Sequence, residues 1–458
     1  MLYDDTIAAI ATAPGVGAVG LLRLSGPQAL TITQQVFRPA RRGAWRPYRM
    51  RYGHVLAEDG SLLDEALAVY MRAPHSFTAE ESVEVSCHGG PLVLARVLER
   101  LLAAGARAAN PGEFTLRAFL NGRIDLAQAE AILDVVGART ITGLALAQQQ
   151  LGGWLSGELR RAREQILAPL AYCTALVDFP EDDVEPHAID DPIDAALATI
   201  ERLLAGAEQG IIYRSGARAA LIGRPNAGKS SLLNALLRAD RAIVTAIPGT
   251  TRDTLEETAN LCGIPVVLID TAGIGTTSDP VEQLGIERSR QALASADLAL
   301  LVVDMTIPID AELRRLAQLT DEKPTILVLN KVDQVAIMDT DLAATYAMLR
   351  SHAFAAVVAV SALHGSGIDQ LATAVAEVLL GAAPAHDAQL VSSPRHRDAL
   401  QRAAAHLRDA RDGNKTGVTT DLLAIDLTAA LAALGEITGE TVGDDLLNEI
   451  FSRFCIGK

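Results

Sequence analysis

The octapeptide GRPNAGKS, Gly223–Ser230, limits what this chain can fold into more than any other feature. It follows the apolar run ARAALIG and opens a helical pattern, the strand, loop and helix setting that a phosphate-binding loop requires. In such a loop the backbone N–H groups wrap phosphates, Lys229 neutralises β and γ charge, and the Ser230 hydroxyl holds Mg²⁺. Asn226, Ala227, Gly228, Lys229, Ser230 and Ser231 are therefore candidate nucleotide contacts.

The motifs that follow, in order, narrow the ligand. GTTRD, Gly249–Asp253, lies where a switch loop would put Thr251 on the metal, and the preceding Thr245, Ala246, Ile247, Pro248 and Thr250 belong to the same candidate site. DTAG ends the strand-like PVVLID, so Asp270 reaches the Mg²⁺ shell and the Gly273 N–H the γ-phosphate, with Thr271 and Ala272 between them. NKVD ends TILVLN and names the base. The Asp333 carboxylate accepts from guanine N1–H and the exocyclic amine, whereas adenine would leave that charge unpaired. Asn330 and Lys331 flank it, and Ser361, Ala362 and Leu363 supply N–H groups for guanine O6. The position after the DTAG glycine, where some small GTPases carry a water-positioning Gln, is Ile274. Two substitutes stay open: a monovalent cation held by the Asn226 amide oxygen, or a carboxylate among Asp279, Glu282 and Glu287.

Strands alternating with helices over 215–382 predict a parallel sheet covered on both faces, a Ras-like G domain. Before it, 1–118 reads as a small α+β domain with one helix in PLVLARVLERLLAAG. Residues 119–214 turn helical, with Leu126, Ala129, Leu133 and Val136 on one face and Leu151, Leu155 and Leu159 on another. Helical periodicity resumes over 383–458, too short for a core of its own, so it is expected to pack on the earlier helices. The expected fold is thus an α/β P-loop GTPase domain inserted into an all-helical domain, preceded by the α+β domain. At 458 residues the chain has room for these three.

The formal charge of -16 argues against non-specific nucleic-acid binding. Any RNA contact must be local, and two basic stretches, Arg41–Arg51 and Arg395–Arg411, are candidates for it or for solvated faces. No apolar run long enough to span a membrane and no signal peptide is read, so a cytoplasmic protein is expected. Cys87, Cys173, Cys262 and Cys455 are scattered and imply neither disulfides nor a metal knuckle. The GVGAVG at Gly15–Gly20 precedes strand-like residues rather than a helix and reads as a turn. The terminal CIGK is rejected as a prenylation box, and His88 reads as structural.

LLRLSG, SFTAEESVEVSCHGGP, NPGEFTLRAFLNGRIDLAQAEA, DFPEDDVE and the terminal FCIGK, together with the inserted GTPase, resemble the bacterial tRNA-modification GTPase family MnmE (TrmE) along essentially the whole chain. The resemblance implies a homodimer whose first domain binds a tetrahydrofolate derivative, 5-formyl or 5,10-methylene. It also implies an FAD-dependent partner, MnmG (GidA), in a heterotetramer that adds a carboxymethylaminomethyl or aminomethyl group to C5 of the tRNA wobble uridine. The folate residues it implies are Arg23, Glu84, Arg123 and Lys458, with Arg123 standing where the family has lysine. The K⁺ ligands it implies are Asn226, Thr245, Ile247 and Thr250, and the catalytic carboxylate is Glu282. Ala246 and Gly275 depart from the acid and the arginine expected there. Cys455 is placed near the folate, as a nucleophile or a wall. Two rival functions share the same motifs: an RNA-binding regulatory switch, and a nucleotide-gated scaffold whose chemistry lies wholly on the flavoprotein.

Overall fold

The computed structural model describes residues 4–179, 188–239, 257–270, 290–308, 310–335, 353–381 and 389–457. They divide into two compact units. The first comprises Met1–Leu133, Leu151–Ser156 and Ala432–Lys458, and the second Asp134–Gln150 and Gly157–Leu431.

The first unit is built on strands β1 (Ile7–Ile10), β2 (Gly17–Ser25), β3 (Phe37–Pro39), β4 (Arg51–Leu56), β5 (Leu62–Met71), β6 (Ser82–Gly89) and β7 (Arg107–Ala108). They form one sheet in the order β3-β4-β5-β6-β2-β1-β7, antiparallel except where β7 runs alongside β1. Alternation sets its two faces: Leu22, Leu24, Val83, Val85, Ala66 and Ala68 point inward. Two helices cover that face, α1 (Ala29–Val36) and α2 (Pro91–Ala103). Helix α2 starts on Pro91, whose fixed φ suits a first turn, and buries Leu94, Val97 and Leu101 at helical spacing. Helix α1 and a further helix, α3 (Glu113–Leu120), go beyond the single helix expected here. Against α3 packs the terminal helix Asp444–Ser452, with Phe451 and Phe119 ring centroids 6.4 Å apart. The tail then runs along β1, and Gly457 (φ +96°) lies so close that a Cβ would meet the Ile10 carbonyl oxygen at 2.4 Å.

The second unit carries a six-stranded sheet of β8 (Ala217–Ile222), β9 (Glu257–Leu261), β10 (Ile264–Asp270), β11 (Leu298–Asp304), β12 (Thr325–Asn330) and β13 (Ala356–Val360). Its order is β13-β12-β11-β8-β10-β9. Every residue of β11 and β12 is buried, as expected for strands sandwiched between two layers. The five strands read from the sequence are parallel, as expected, and β9, which the sequence pattern does not reveal, adds an antiparallel edge strand beside β10. The cause is local: Cys262 and Gly263, both at positive φ, make a two-residue hairpin between them.

The helices of this unit include α4 (Asp190–Ala205) and the long helix Pro394–Thr416, which lie side by side. Ala399, Leu400, Ala403, Ala404, Leu407 and Ala410 form the buried stripe of the latter. Arg408–Glu201 at 2.7 Å and Arg397–Glu208 at 2.6 Å flank the contact. One expected helical face is corrected. Leu151 ends the helix Ile141–Leu151, whereas Leu155 and Leu159 belong to the next, Trp154–Asp178, because Gly153 at φ +82° breaks the chain between them. Val136, expected on a buried face, is 48% exposed.

Candidate functional site

In an open α/β sheet, ligands bind beyond the carboxyl ends of the strands where the order reverses. Strand β8 is that point here, flanked by β10 on one side and β11 on the other. The loop Gly223–Gly228 leaves β8 and enters helix α5 (Lys229–Ala239). Asn226 is at φ +63° and Gly228 at φ +94°, a wrapped course that turns successive N–H groups toward one side. A Cβ on Gly228 would meet Asn330 Nδ2 at 2.2 Å, so no other residue fits there.

Lys229 is 6% exposed, and its ammonium donates to the carbonyls of Gly223 and Arg224, both at 2.7 Å. Burial lowers its pKa below the usual lysine value, opposed by the Asp270 carboxylate. A desolvated cation inside a loop of converging N–H groups is a seat for phosphate. The Ser230 hydroxyl donates to Asp270 Oδ2 at 3.0 Å, which brings together the two residues assigned to the Mg²⁺ shell. These residues fit a Mg²⁺-bound nucleotide: hard oxygen donors lie beside a buried lysine. Asn226 is exposed, its carboxamide open to a cation or phosphate.

The base-recognition residues also converge. Asn330, 2% exposed, donates from Nδ2 to the Ala227 carbonyl at 2.9 Å and accepts at Oδ1 from the Ala362 N–H at 3.1 Å. One side chain thus ties the phosphate loop to the loop after β13. The fully buried Ser361 hydroxyl donates to Asp333 Oδ1 at 2.5 Å, and this bond is the main cause holding the Asp333 carboxyl below its usual pKa. Asp333 therefore stays an acceptor, the role guanine requires. Lys331 takes φ +66° and pairs with Asp304 at 2.6 Å. Burial pushes the Asp304 carboxyl up, but Lys331 and Thr306 outweigh it and leave it low. Leu363 is exposed beside the site.

Sequence reasoning missed the brace beneath this loop. Arg224 pairs with both Asp310 and Glu312, and Asp310 also caps the helix Ala311–Leu319 by accepting from the N–H groups of Glu312 and Leu313. Arg224 is one of the unspecified positions of the motif, and the signal that could have found its partner is the N-capping aspartate, Asp310, before that helix. The Arg224 hydrogen bond is the leading cause that holds the Asp310 carboxyl down to about 2.

In the first unit, Arg23 and Glu84 are cross-strand partners on β2 and β6, bridged at 2.9 Å. The Arg23 guanidinium lies over the Phe77 ring at 5.2 Å, and that of Arg123 lies over the same ring at 5.1 Å while donating to the Phe77 carbonyl at 3.0 Å. Three of the four expected folate residues thus gather around Phe77. Beside them, Arg117 is 1% exposed and pairs with Asp5 at 2.6 Å and Glu113 at 2.9 Å, a buried cluster read only as motif text. His88 is exposed, and Asp64 at 2.7 Å raises its pKa. Cys455 is exposed.

The family described as GTP-binding protein TrmE N-terminus matches residues 6–123, and the one described as MnmE helical domain matches residues 126–455. A protein of Roseiflexus sp. (strain RS-1) named tRNA modification GTPase MnmE is 64% identical, covering 100% of both chains. Those of Roseiflexus castenholzii, at 63% over 100% of both, and Chloroflexus aurantiacus, at 62% over 99% of this chain and 100% of its own, carry the same name. The chain belongs to the MnmE family. Among the site positions expected from the motifs and from the MnmE resemblance, Thr245, Ala246, Ile247, Pro248, Gly249, Thr250, Thr251, Thr271, Ala272, Gly273, Gly275, Glu282 and Lys458 lie outside the described residues, as do Ile274, Asp279 and Glu287.

Proposed function

We propose that this chain hydrolyses GTP to GDP and, as its relatives' name states of them, acts in tRNA modification. The observation that carries the reading is Asn330, which joins the loop around Lys229 to the loop presenting Ser361 and Ala362, with Asp333 beside it. A site so joined reads phosphate and base together, and its carboxylate selects guanine. Lys229 holds the β and γ oxygens, while Ser230, Thr251 and Asp270 serve the Mg²⁺ side. Mg²⁺ supplies charge neutralisation when bound.

The finer reading follows the family. With no glutamine after DTAG, hydrolysis is stimulated by K⁺ at Asn226, Thr245, Ile247 and Thr250 and by the Glu282 carboxylate, when two G domains meet. A homodimer is supported by the sheet face opposite α1 and α2 in the first unit, where α3 packs on β1 but Val19, Tyr52 and Leu67 stand exposed. A reduced folate at Arg23, Glu84, Arg123 and Lys458 is supported by the aromatic and charged cluster at Phe77: a pterin is a flat donor–acceptor ring, and a guanidinium–carboxylate pair beside an aromatic face suits it. A folate bound there would supply the one-carbon unit for the carboxymethylaminomethyl or aminomethyl group at C5 of the wobble uridine, with the FAD-dependent MnmG as the partner in a heterotetramer. The working domain limits are 1–118, 119–214, 215–382 and 383–458, and the compartment is the cytoplasm. Among the described residues no helix is long and apolar enough to cross a membrane.

The test is GTP turnover in K⁺ against Na⁺ at matched ionic strength, with wild type beside Glu282→Ala and Asn226→Ala. K⁺ should accelerate the wild type, and either substitution should remove most of that gain. Turnover indifferent to the cation, with Glu282→Ala silent, would reduce the protein to a guanine-nucleotide switch without this activation.

A further inference from the structure

The two arginine-rich stretches have different fates in the fold. In the helix Pro394–Thr416, Arg397, Arg408 and Arg411 face Glu208, Glu201 and Asp194 at 2.6, 2.7 and 3.6 Å, so their charge is answered within the second unit. Between β3 and β4, by contrast, Arg41, Arg42, Arg46 and Arg49 are exposed and have no ion pair with any described residue. No acidic residue occurs anywhere from Phe37 to Leu56, in a chain whose formal charge is -16.

This loop is also held in shape. Arg51 donates to the carbonyls of Arg41 at 2.6 Å and Gly43 at 2.8 Å, and its guanidinium lies over the Trp45 ring at 5.0 Å. Trp45 in turn meets the buried Phe37 edge-on at 5.8 Å. The Tyr48 N–H donates to the Tyr70 carbonyl at 2.8 Å, and the Tyr48 hydroxyl donates to the His75 carbonyl. One arginine is therefore a strut, and the other four project from an anchored backbone. Four like charges held close repel one another, and nothing in the first unit's packing requires them there. A fixed array of guanidinium forks matches a polymer of phosphates, because each fork can donate to two phosphate oxygens and each contact releases condensed counterions. The Tyr48 ring, 56% exposed among them, adds a stacking face.

We propose that the loop 40–50 is a docking surface for the phosphate backbone of structured RNA. It rests on the tRNA reading above for which RNA is bound, but not for the surface itself.

The experiment measures binding of the full chain to a tRNA transcript, an unrelated hairpin RNA and poly-L-glutamate across a KCl series. The proteins are wild type, R41Q/R42Q, R46Q/R49Q and the charge-matched control R314Q/R315Q, whose arginines are exposed on the second unit. Each loop variant should lower the slope of log K against log salt for tRNA by about 1 to 2, at roughly 0.7–0.9 per lost contact, while the control keeps the wild-type slope. GTP turnover and circular dichroism should match wild type in all three variants. If wild type binds tRNA and the loop variants bind no worse than the control, the surface falls and the tRNA reading stands. Loop-dependent binding of the hairpin without tRNA binding would keep the surface and remove the tRNA reading. Loop-dependent capture of poly-L-glutamate alone would overturn RNA in favour of an acidic polypeptide, and no salt-dependent binding to any probe would overturn both.

Discussion

At the scale of single residues, the nucleotide site rests on positions where chemistry and space allow one choice. Gly228 is the sharpest case, because both its φ of +94° and the 2.2 Å approach of Asn330 Nδ2 exclude a side chain. Gly228→Ala must move Asn330 and with it the link to Ala362. Guanine-nucleotide affinity measured by fluorescent-nucleotide titration should fall by about 5- to 150-fold, the equivalent of the roughly 1–3 kcal/mol cost of unsatisfied buried polar groups. Affinity within a factor of two of wild type would mean that Asn330 does not couple the two loops. The sequence made Gly228 and Asn330 legible through their motifs, since phosphate and base recognition restrict residue type at fixed spacing. It did not make Arg224, Asp310 and Glu312 legible: their pairing depends on where a distant helix begins, and charges at unspecified positions carry no periodic signal.

At the scale of elements, strands were readable where burial on both sides forces an unbroken apolar run, as in β11 and β12. Strand β9 was not, because ETANL is polar at three of its five positions and its turn is Cys262–Gly263 rather than a familiar Asn-Gly. Helix α3 was hidden in the same way by its charged residues, Glu113 and Arg117, which are buried rather than solvated. Burial pushes the Glu113 carboxyl up, but Arg107, the Asn110 N–H and Arg117 outweigh it and hold it below the usual range. Asp5 is lowered in the same sense, burial again being outweighed by Arg107 and Arg117. Carboxyls with depressed folded-state values stabilise fully above their unfolded values, about 4.3 and 3.9, and lose that contribution as pH falls through the folded ones. Arg117→Met should cost about 3–5 kcal/mol near neutrality, as expected when one partner of a buried pair is removed. The deficit should narrow as the pH falls below about 4 and through the lower folded-state values, where the wild type's carboxylates take up protons as well. Urea denaturation of both proteins across that window checks it, and a deficit independent of pH would assign Arg117 a packing role only.

At the scale of the whole molecule, each motif follows a strand of the second sheet, and the order of the motifs along the chain differs from the order of those strands in the sheet. Phosphate loop, DTAG, NKVD and SAL follow β8, β10, β12 and β13, and the sheet order β13-β12-β11-β8-β10-β9 carries their described residues to one edge. Long-range placement of this kind was legible because each motif sits at a strand's carboxyl end, a rule of the fold rather than of any single residue. The return of the terminal helix to α3 was less so, since nothing in FSRFCIGK encodes its partner; Phe119 and Phe451 meet only through the topology. The central claim is that the site built by these strands is a guanine site whose specificity comes from Asp333. The most direct test is calorimetric titration of Mg²⁺-GDP, Mg²⁺-ADP and Mg²⁺-XDP into wild type and Asp333→Asn. Wild type should prefer GDP over ADP by a factor on the order of 10⁴. Asp333→Asn should lose GDP and gain XDP, because an amide donates where a carboxylate accepts and xanthine carries a carbonyl in place of guanine's amine. Equal affinity for GDP and ADP in wild type, or an Asp333→Asn variant that still prefers GDP, would contradict the account.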